Sequence, residues 1–96
     1  MRKYEAMAIV KPDLSDADVT KLTERYKGVI EEQGGTVESA ALWEKKKKMA
    51  YEINGCKEGN YLLFNFSADA KVPLELGRLL RINDDVIRHR IFRLDD

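Results

Sequence analysis

Ninety-six residues, 44% hydrophobic and 35% charged, set the scale of one domain with one modest core and argue against a deep catalytic cleft. Seventeen basic side chains balance seventeen acidic ones, which excludes a protein that holds nucleic acid unaided through bulk positive charge. One cysteine, Cys56, excludes an intrachain disulfide and a cysteine-based metal cage.

Residues 3–10 alternate and then turn apolar on both faces, as a central strand does. Lys11-Pro12-Asp13 ends the strand. Ser15-Asp16-Ala17-Asp18 starts a helix, with Ser15 as the cap and the aspartates at the positive end of the dipole. Val19, Leu22, Tyr26, Val29 and Ile30 form its apolar stripe, and Gly34-Gly35 its left-handed stop. A second strand region covers roughly 36–53 and is interrupted or bent by Lys45 to Lys48. Asn54-Gly55 and Glu58-Gly59-Asn60 bracket a hairpin loop. Tyr61 to Phe66 is a third, central strand. Val72 to Arg81 is a second helix, with Pro73 in its first turn and Val72, Leu76, Leu79 and Leu80 buried. Asn83-Asp84-Asp85 turns the chain into a fourth strand, Val86 to Leu94.

The order β-α-β-β-α-β is the split βαβ pattern. The right-handed crossover rule is read as setting the first and third strands side by side in the centre, and parallel. Both helices then cover one face and leave the other open. On strand one, Tyr4, Ala6, Ala8 and Val10 face the helices; on strand three, Leu62, Phe64 and Phe66 do; on strand four, Ile87, His89 and Ile91 do. The open face receives Met7, Ile9, Tyr61, Leu63, Phe92, Arg88 and Arg90. Apolar residues ringed by arginines read as a protein–protein or nucleic-acid surface, or as a face that strand ends and loops cover.

The lysine run has two readings as well: ammonium groups held against phosphates by a rigid strand, or a solvated tip that protects a strand edge. Residues 1–40 carry a net −2 and residues 41–96 a net +2, so the better phosphate surface lies in the second half, with weak affinity for the chain alone. Trp43 either stacks on a base or anchors the bent strand. His89, the lone histidine, sits between two arginines and reads as an edge-of-core imidazole, with no second histidine or carboxylate pair for general acid–base work. Asp84-Asp85 and Asp95-Asp96 lack metal spacing, and no glycine-rich phosphate loop follows a strand. No cofactor, metal or small-molecule substrate is expected. No apolar run reaches about 18 residues, so no membrane span is expected. Met1-Arg2-Lys3-Tyr4-Glu5 has no signal core, so a reducing interior compartment is expected.

Three segments occur in order: Met1-Arg2-Lys3-Tyr4-Glu5, Ala50-Tyr51-Glu52-Ile53 after a basic run, and Leu80-Arg81-Ile82-Asn83-Asp84-Asp85-Val86-Ile87-Arg88. Together they resemble the family of the sixth protein of the bacterial small ribosomal subunit, over the whole chain. The resemblance implies an α+β, ferredoxin-like split βαβ, a four-stranded antiparallel sheet with two helices on one face, as a single domain over residues 1–96. The resemblance also implies a structural role without enzymatic activity. Members bind the central domain of small-subunit ribosomal RNA together with the eighteenth small-subunit protein, a basic partner that would account for the neutral charge. Carried over by position, RNA contacts fall on Arg2, Lys3 and Tyr4, on Lys46, Lys47 and Lys48, and on Arg88; Arg90 joins them from the open face. Partner contacts fall on Met7, Ile9, Tyr61, Leu63 and Phe92. The implied location is the ribosome, cytoplasmic or organellar. Two departures stand out. Glu44 follows Trp43 where members commonly have glycine, and the run is one lysine longer. The charged tail common in members is expected to be missing after Asp95-Asp96. Residues alone also allow a small regulatory or metabolite-binding α+β domain that dimerises through its open sheet.

Overall fold

The structure, a computed structural model, describes residues 1–94; the expectations for Asp95-Asp96 lie outside the described residues. The elements are β1 (Arg2–Val10), α1 (Asp16–Glu32), β2 (Thr36–Ile53), β3 (Cys56–Ala68), α2 (Lys71–Ile82) and β4 (Val86–Arg93). The four strands lie in the order β2-β3-β1-β4. The two strands that read as apolar on both faces, β1 and β3, are the central pair.

That pair is antiparallel, not parallel. The crossover through α1 makes β1 and β2 the parallel strands. β3 then reverses through a two-residue turn and inserts between them, antiparallel to both. The turn is Asn54-Gly55 alone, with φ of 50° and 79°, the left-handed pair of a tight hairpin. Glu58-Gly59-Asn60 is therefore strand rather than loop.

Ser15 caps α1 as its sequence position suggests, its Oγ accepting from the Asp18 N–H at 3.1 Å. At the other end Gly34 takes φ 92°, and the Gly35 N–H donates to the Ile30 carbonyl at 2.9 Å. A Cβ on Gly35 would lie 2.7 Å from Ile30 Cγ2, so the close approach needs glycine there. Val19, Tyr26 and Ile30 of α1 and Val72, Leu76 and Leu80 of α2 pack on Ala6, Ala8, Leu62 and Phe64. Thr23 joins the α1 stripe, its hydroxyl donating to the Val19 carbonyl at 2.9 Å. Tyr4 stacks on Phe66 at 5.6 Å, and Tyr26 meets Phe64 edge-on at 6.4 Å, geometries that add to the apolar burial.

Ile87 does not face the helices. The β1–β4 register shifts between Ile9 and Val10, so Ile9 pairs with Arg88 but Val10 pairs with Val86. The extra residue is Ile87, whose Cδ1 lies 3.8 Å from where a Cβ on Gly59 would stand, beside Ile9. Val86 takes its place against the core, with Ile91 further along. A one-residue bulge re-aims every side chain before it.

Candidate nucleic-acid interface

Successive residues of a strand point to opposite faces and paired residues share one. The registers therefore stack the open face in rows: Arg88–Ile9–Tyr61, then Arg90–Met7–Leu63, then Phe92–Glu5–Asn65. Arg88, Arg90 and Phe92 are exposed, while Met7, Tyr61 and Leu63 are half-buried. The Arg90 guanidinium lies 4.8 Å above the Phe92 ring, a cation–π arrangement that keeps the charge at the surface. Neither Arg88 nor Arg90 forms an ion pair among the described residues.

The lysine run does not act as one unit. Lys45 Nζ stands 2.9 Å from Asp16 Oδ1, on the side of α1. Lys46 takes φ 49°, its backbone N–H donating to Asn60 Oδ1 at 2.9 Å. Lys47 Nζ sits 5.0 Å above the Trp43 ring and 5.3 Å above the Tyr61 ring, on the open face. Lys48 pairs across the hairpin with Glu58. Trp43 is 56% exposed and meets Tyr61 edge-on at 6.3 Å, so its ring steadies the bent strand while keeping free surface.

Beyond Lys48 the hairpin arches. Four residues, Met49 to Glu52, stand between the pairs Lys48↔Glu58 and Ile53↔Cys56, where β3 has only Lys57. The excess length carries this segment back over the sheet. Met49 becomes buried, and the Tyr51 hydroxyl accepts from Arg88 Nη1 at 2.9 Å. Beneath lies a cavity of about 200 Å³ lined by Met7, Ile9, Met49, Tyr51, Tyr61 and Arg88 among others. The expectation that strand ends and loops cover the open face therefore holds for one end of it.

Two expected contacts change. Ile9 is 4% exposed, closed off by this arrangement and by the Gly59 backbone, and is not presented as a docking residue. Tyr4 is 7% exposed and faces the helices, its ring on Phe66, so it cannot stack on a base. Arg2 and Lys3 are exposed at the start of β1; by alternation only Lys3 shares the open face. The remaining open-face residues, Met7, Leu63, Phe92, Arg88 and Arg90, come together as the alternation requires.

Three residues of the site escaped the sequence reading: Asn60, Met49 and Tyr51. Asn60 is 1% exposed, and its Nδ2 donates to the Lys11 carbonyl at 3.1 Å. The alternation of Leu62, Phe64 and Phe66, continued backwards, would have put Asn60 on the core face; reading a loop there cut it short. Cys56 is a half-buried free thiol at the start of β3. His89 is half-buried beside α2. Its pKa is lowered, first by burial and then by the nearby Arg81 charge. Among the described residues no cluster of His, Cys, Asp or Glu could hold a metal ion, and no helix is long and apolar enough to cross a membrane.

The sequence model of the family described as Ribosomal protein S6 matches residues 3–93. The small ribosomal subunit protein bS6 of Desulforamulus reducens is 46% identical over 93 residues, 97% of each chain. Its counterpart in Clostridium botulinum strain Hall is 50% identical over 91 residues, 95% of this chain and 96% of that one. Among solved structures, the 30S ribosomal protein S6 of Thermotoga maritima superposes with a TM-score of 0.87 at 33% identity, covering 96% of this chain and 86% of that one. The split βαβ sheet, its basic-rimmed face and these likenesses agree: the chain belongs to the ribosomal protein S6 family of the small subunit, a family of structural proteins and not of enzymes.

Proposed function

We propose that this chain is a structural component of the small ribosomal subunit that binds the central domain of the ribosomal RNA jointly with the eighteenth small-subunit protein. The observation that carries the reading is the pair of rows Arg88–Ile9–Tyr61 and Arg90–Met7–Leu63. They set two arginines that form no ion pair among the described residues beside a half-buried apolar strip, in a chain of zero net charge. Guanidinium groups fit phosphate oxygens in forked geometry, while Met7, Leu63 and Phe92 fit a protein surface. A neutral chain needs a basic partner to supply the rest of the phosphate neutralisation. Lys3 and Lys47 add charge on the same face, and Arg2, Lys46 and Lys48 are further RNA contacts, in the ribosome of the bacterial cytoplasm or of an organelle.

The test is a salt titration of the affinity of the chain plus the basic partner for a transcript of the RNA central domain. Arg88→Ala is expected to weaken binding and lower the salt slope by about one. An unchanged slope would sink the assignment. A free homodimer that gains no RNA affinity from the partner would favour a sheet-to-sheet dimer instead.

A further inference from the structure

We infer that Asn60 is a positioning residue for RNA binding: its buried amide fixes a left-handed bulge at Lys46 that splits the lysine run between the two faces of the sheet and delivers Lys47 to the RNA-facing side. The inference rests on the functional reading just given.

In a regular strand residues i and i+2 share a face. Lys45 and Lys47 do not. Lys45 Nζ is 2.9 Å from Asp16 Oδ1 at the start of α1, on the helix-covered side. Lys47 Nζ lies over Trp43 and Tyr61 on the opposite side. The change of side falls at Lys46, where the register steps from Glu44↔Tyr61 to Lys47↔Gly59, three residues against two. Lys46 adopts φ 49°, a conformation that a lysine has no local side-chain bond to favour. The support comes from outside β2. Asn60 Oδ1 accepts from the Lys46 N–H at 2.9 Å, and Asn60 Nδ2 donates to the Lys11 carbonyl at 3.1 Å. Both ends of the amide are engaged and the residue is 1% exposed, so it cannot turn or be replaced by water. One side chain thereby ties β2 and β3 to the end of β1. Aspartate would lack the donor for Lys11, and alanine would leave two backbone groups without their partner. Without the tie, the strand is free to recover its alternation and carry Lys47 to the helix side.

The experiment uses the chain with the basic partner and a central-domain RNA transcript, titrated at several salt concentrations. Lys47→Ala is expected to weaken binding about three- to fivefold and lower the salt slope by about one. Asn60→Ala is expected to do the same, and the double variant to be no weaker than either. Lys45→Ala should bind as the unaltered chain does. In a Lys46→Gly background, where glycine holds the positive φ by itself, Asn60→Ala should lose its effect; this arm also serves if Asn60→Ala alone does not fold. Additive losses, a full Asn60→Ala effect with Gly at 46, or a Lys45→Ala loss equal to that of Lys47→Ala would overturn the inference. If Arg88→Ala costs binding while Lys47 and Asn60 do not couple, this inference alone fails. If Arg88→Ala costs nothing, the functional reading fails and takes this inference with it.

Discussion

Arg88 and Tyr51 belong to the two opposite edge strands of the sheet, yet Arg88 Nη1 donates to the Tyr51 hydroxyl at 2.9 Å. The contact exists because β2 has excess length at Met49 to Glu52 and spends it arching over the face. A neutral hydroxyl orients the guanidinium without cancelling its charge, so Arg88 keeps its value for an anion. Both side chains are exposed. Tyr51→Phe is therefore expected to change stability by no more than about 0.5 kcal/mol, since water replaces the lost partner. The arch itself should loosen, read as faster amide exchange at residues 49–52 with an unchanged denaturant slope. A loss above about 2 kcal/mol would instead make this bond a main support of the fold.

Gly59 of β3 stands against Ile9 and the end of β1. A Cβ there would lie 2.3 Å from Ile9 Cγ2 and 3.4 Å from the Val10 carbonyl oxygen. Ile9 is buried, so its methyl has little room to yield. Gly59→Ala is expected to cost about 1–3 kcal/mol by overpacking. Ile9→Ala should relieve part of that cost in the double variant, a non-additivity that chemical denaturation of the four proteins can measure.

Local patterning carried much of this fold and less of the site. Ser15, Gly34 and the stripe of Val72, Leu76 and Leu80 announce their helices because caps and periodicity are local. The orientation of the β1–β3 pair depends on which strands the crossover joins, and the crossover through α1 joins β1 to β2, with β3 antiparallel to both. On the site, alternation correctly put Met7, Leu63, Arg88 and Arg90 on one face. It failed wherever the register slips: Ile87 turns away at a bulge, and Lys45 and Lys47 part company at Lys46. Bulges are set by long-range partners such as Asn60, 14 residues from Lys46, and no local composition marks them. Tyr4 carried a functional expectation by position although its place in the alternation already assigned it to the core.

His89 makes the fold sensitive to mild acid. Burial, and then Arg81, hold its pKa below the ordinary value. The unfolded chain therefore takes up a proton on this imidazole before the folded chain does. Stability from this group is full above about pH 6.5, the unfolded value, and is lost as pH falls through the folded pKa. His89 is the only histidine, and carboxylates titrate lower. Denaturation midpoints should thus decline from pH 7 towards pH 5.5 in the unaltered chain and stay flatter in His89→Gln. Equal slopes in the two proteins would remove His89 as the cause.

Tyr26 and Asn83 link the first helix to the turn that launches β4. Asn83 Nδ2 donates to the Tyr26 hydroxyl at 2.7 Å, and Asn83 Oδ1 accepts from the Asp85 N–H at 2.9 Å. The Asp85 carbonyl in turn accepts from the Lys11 N–H at 3.0 Å. The Asn83-Asp84-Asp85 turn is thus held from α1 on one side and from the end of β1 on the other, just ahead of the bulge that aims Arg88. Tyr26 is 1% exposed and its ring packs on Phe64 whether or not the hydroxyl is present. Tyr26→Phe should therefore cost about 1 kcal/mol, the worth of one hydrogen bond whose other partner is only half-buried. Asn83→Ala breaks both bonds and strands the buried hydroxyl, and is expected to cost about 2–3 kcal/mol. In the double variant the stranded hydroxyl is gone, so its cost should fall about 1 kcal/mol short of the sum. Strict additivity in a denaturant titration would show that the two residues act independently and that the bond between them adds nothing to the turn.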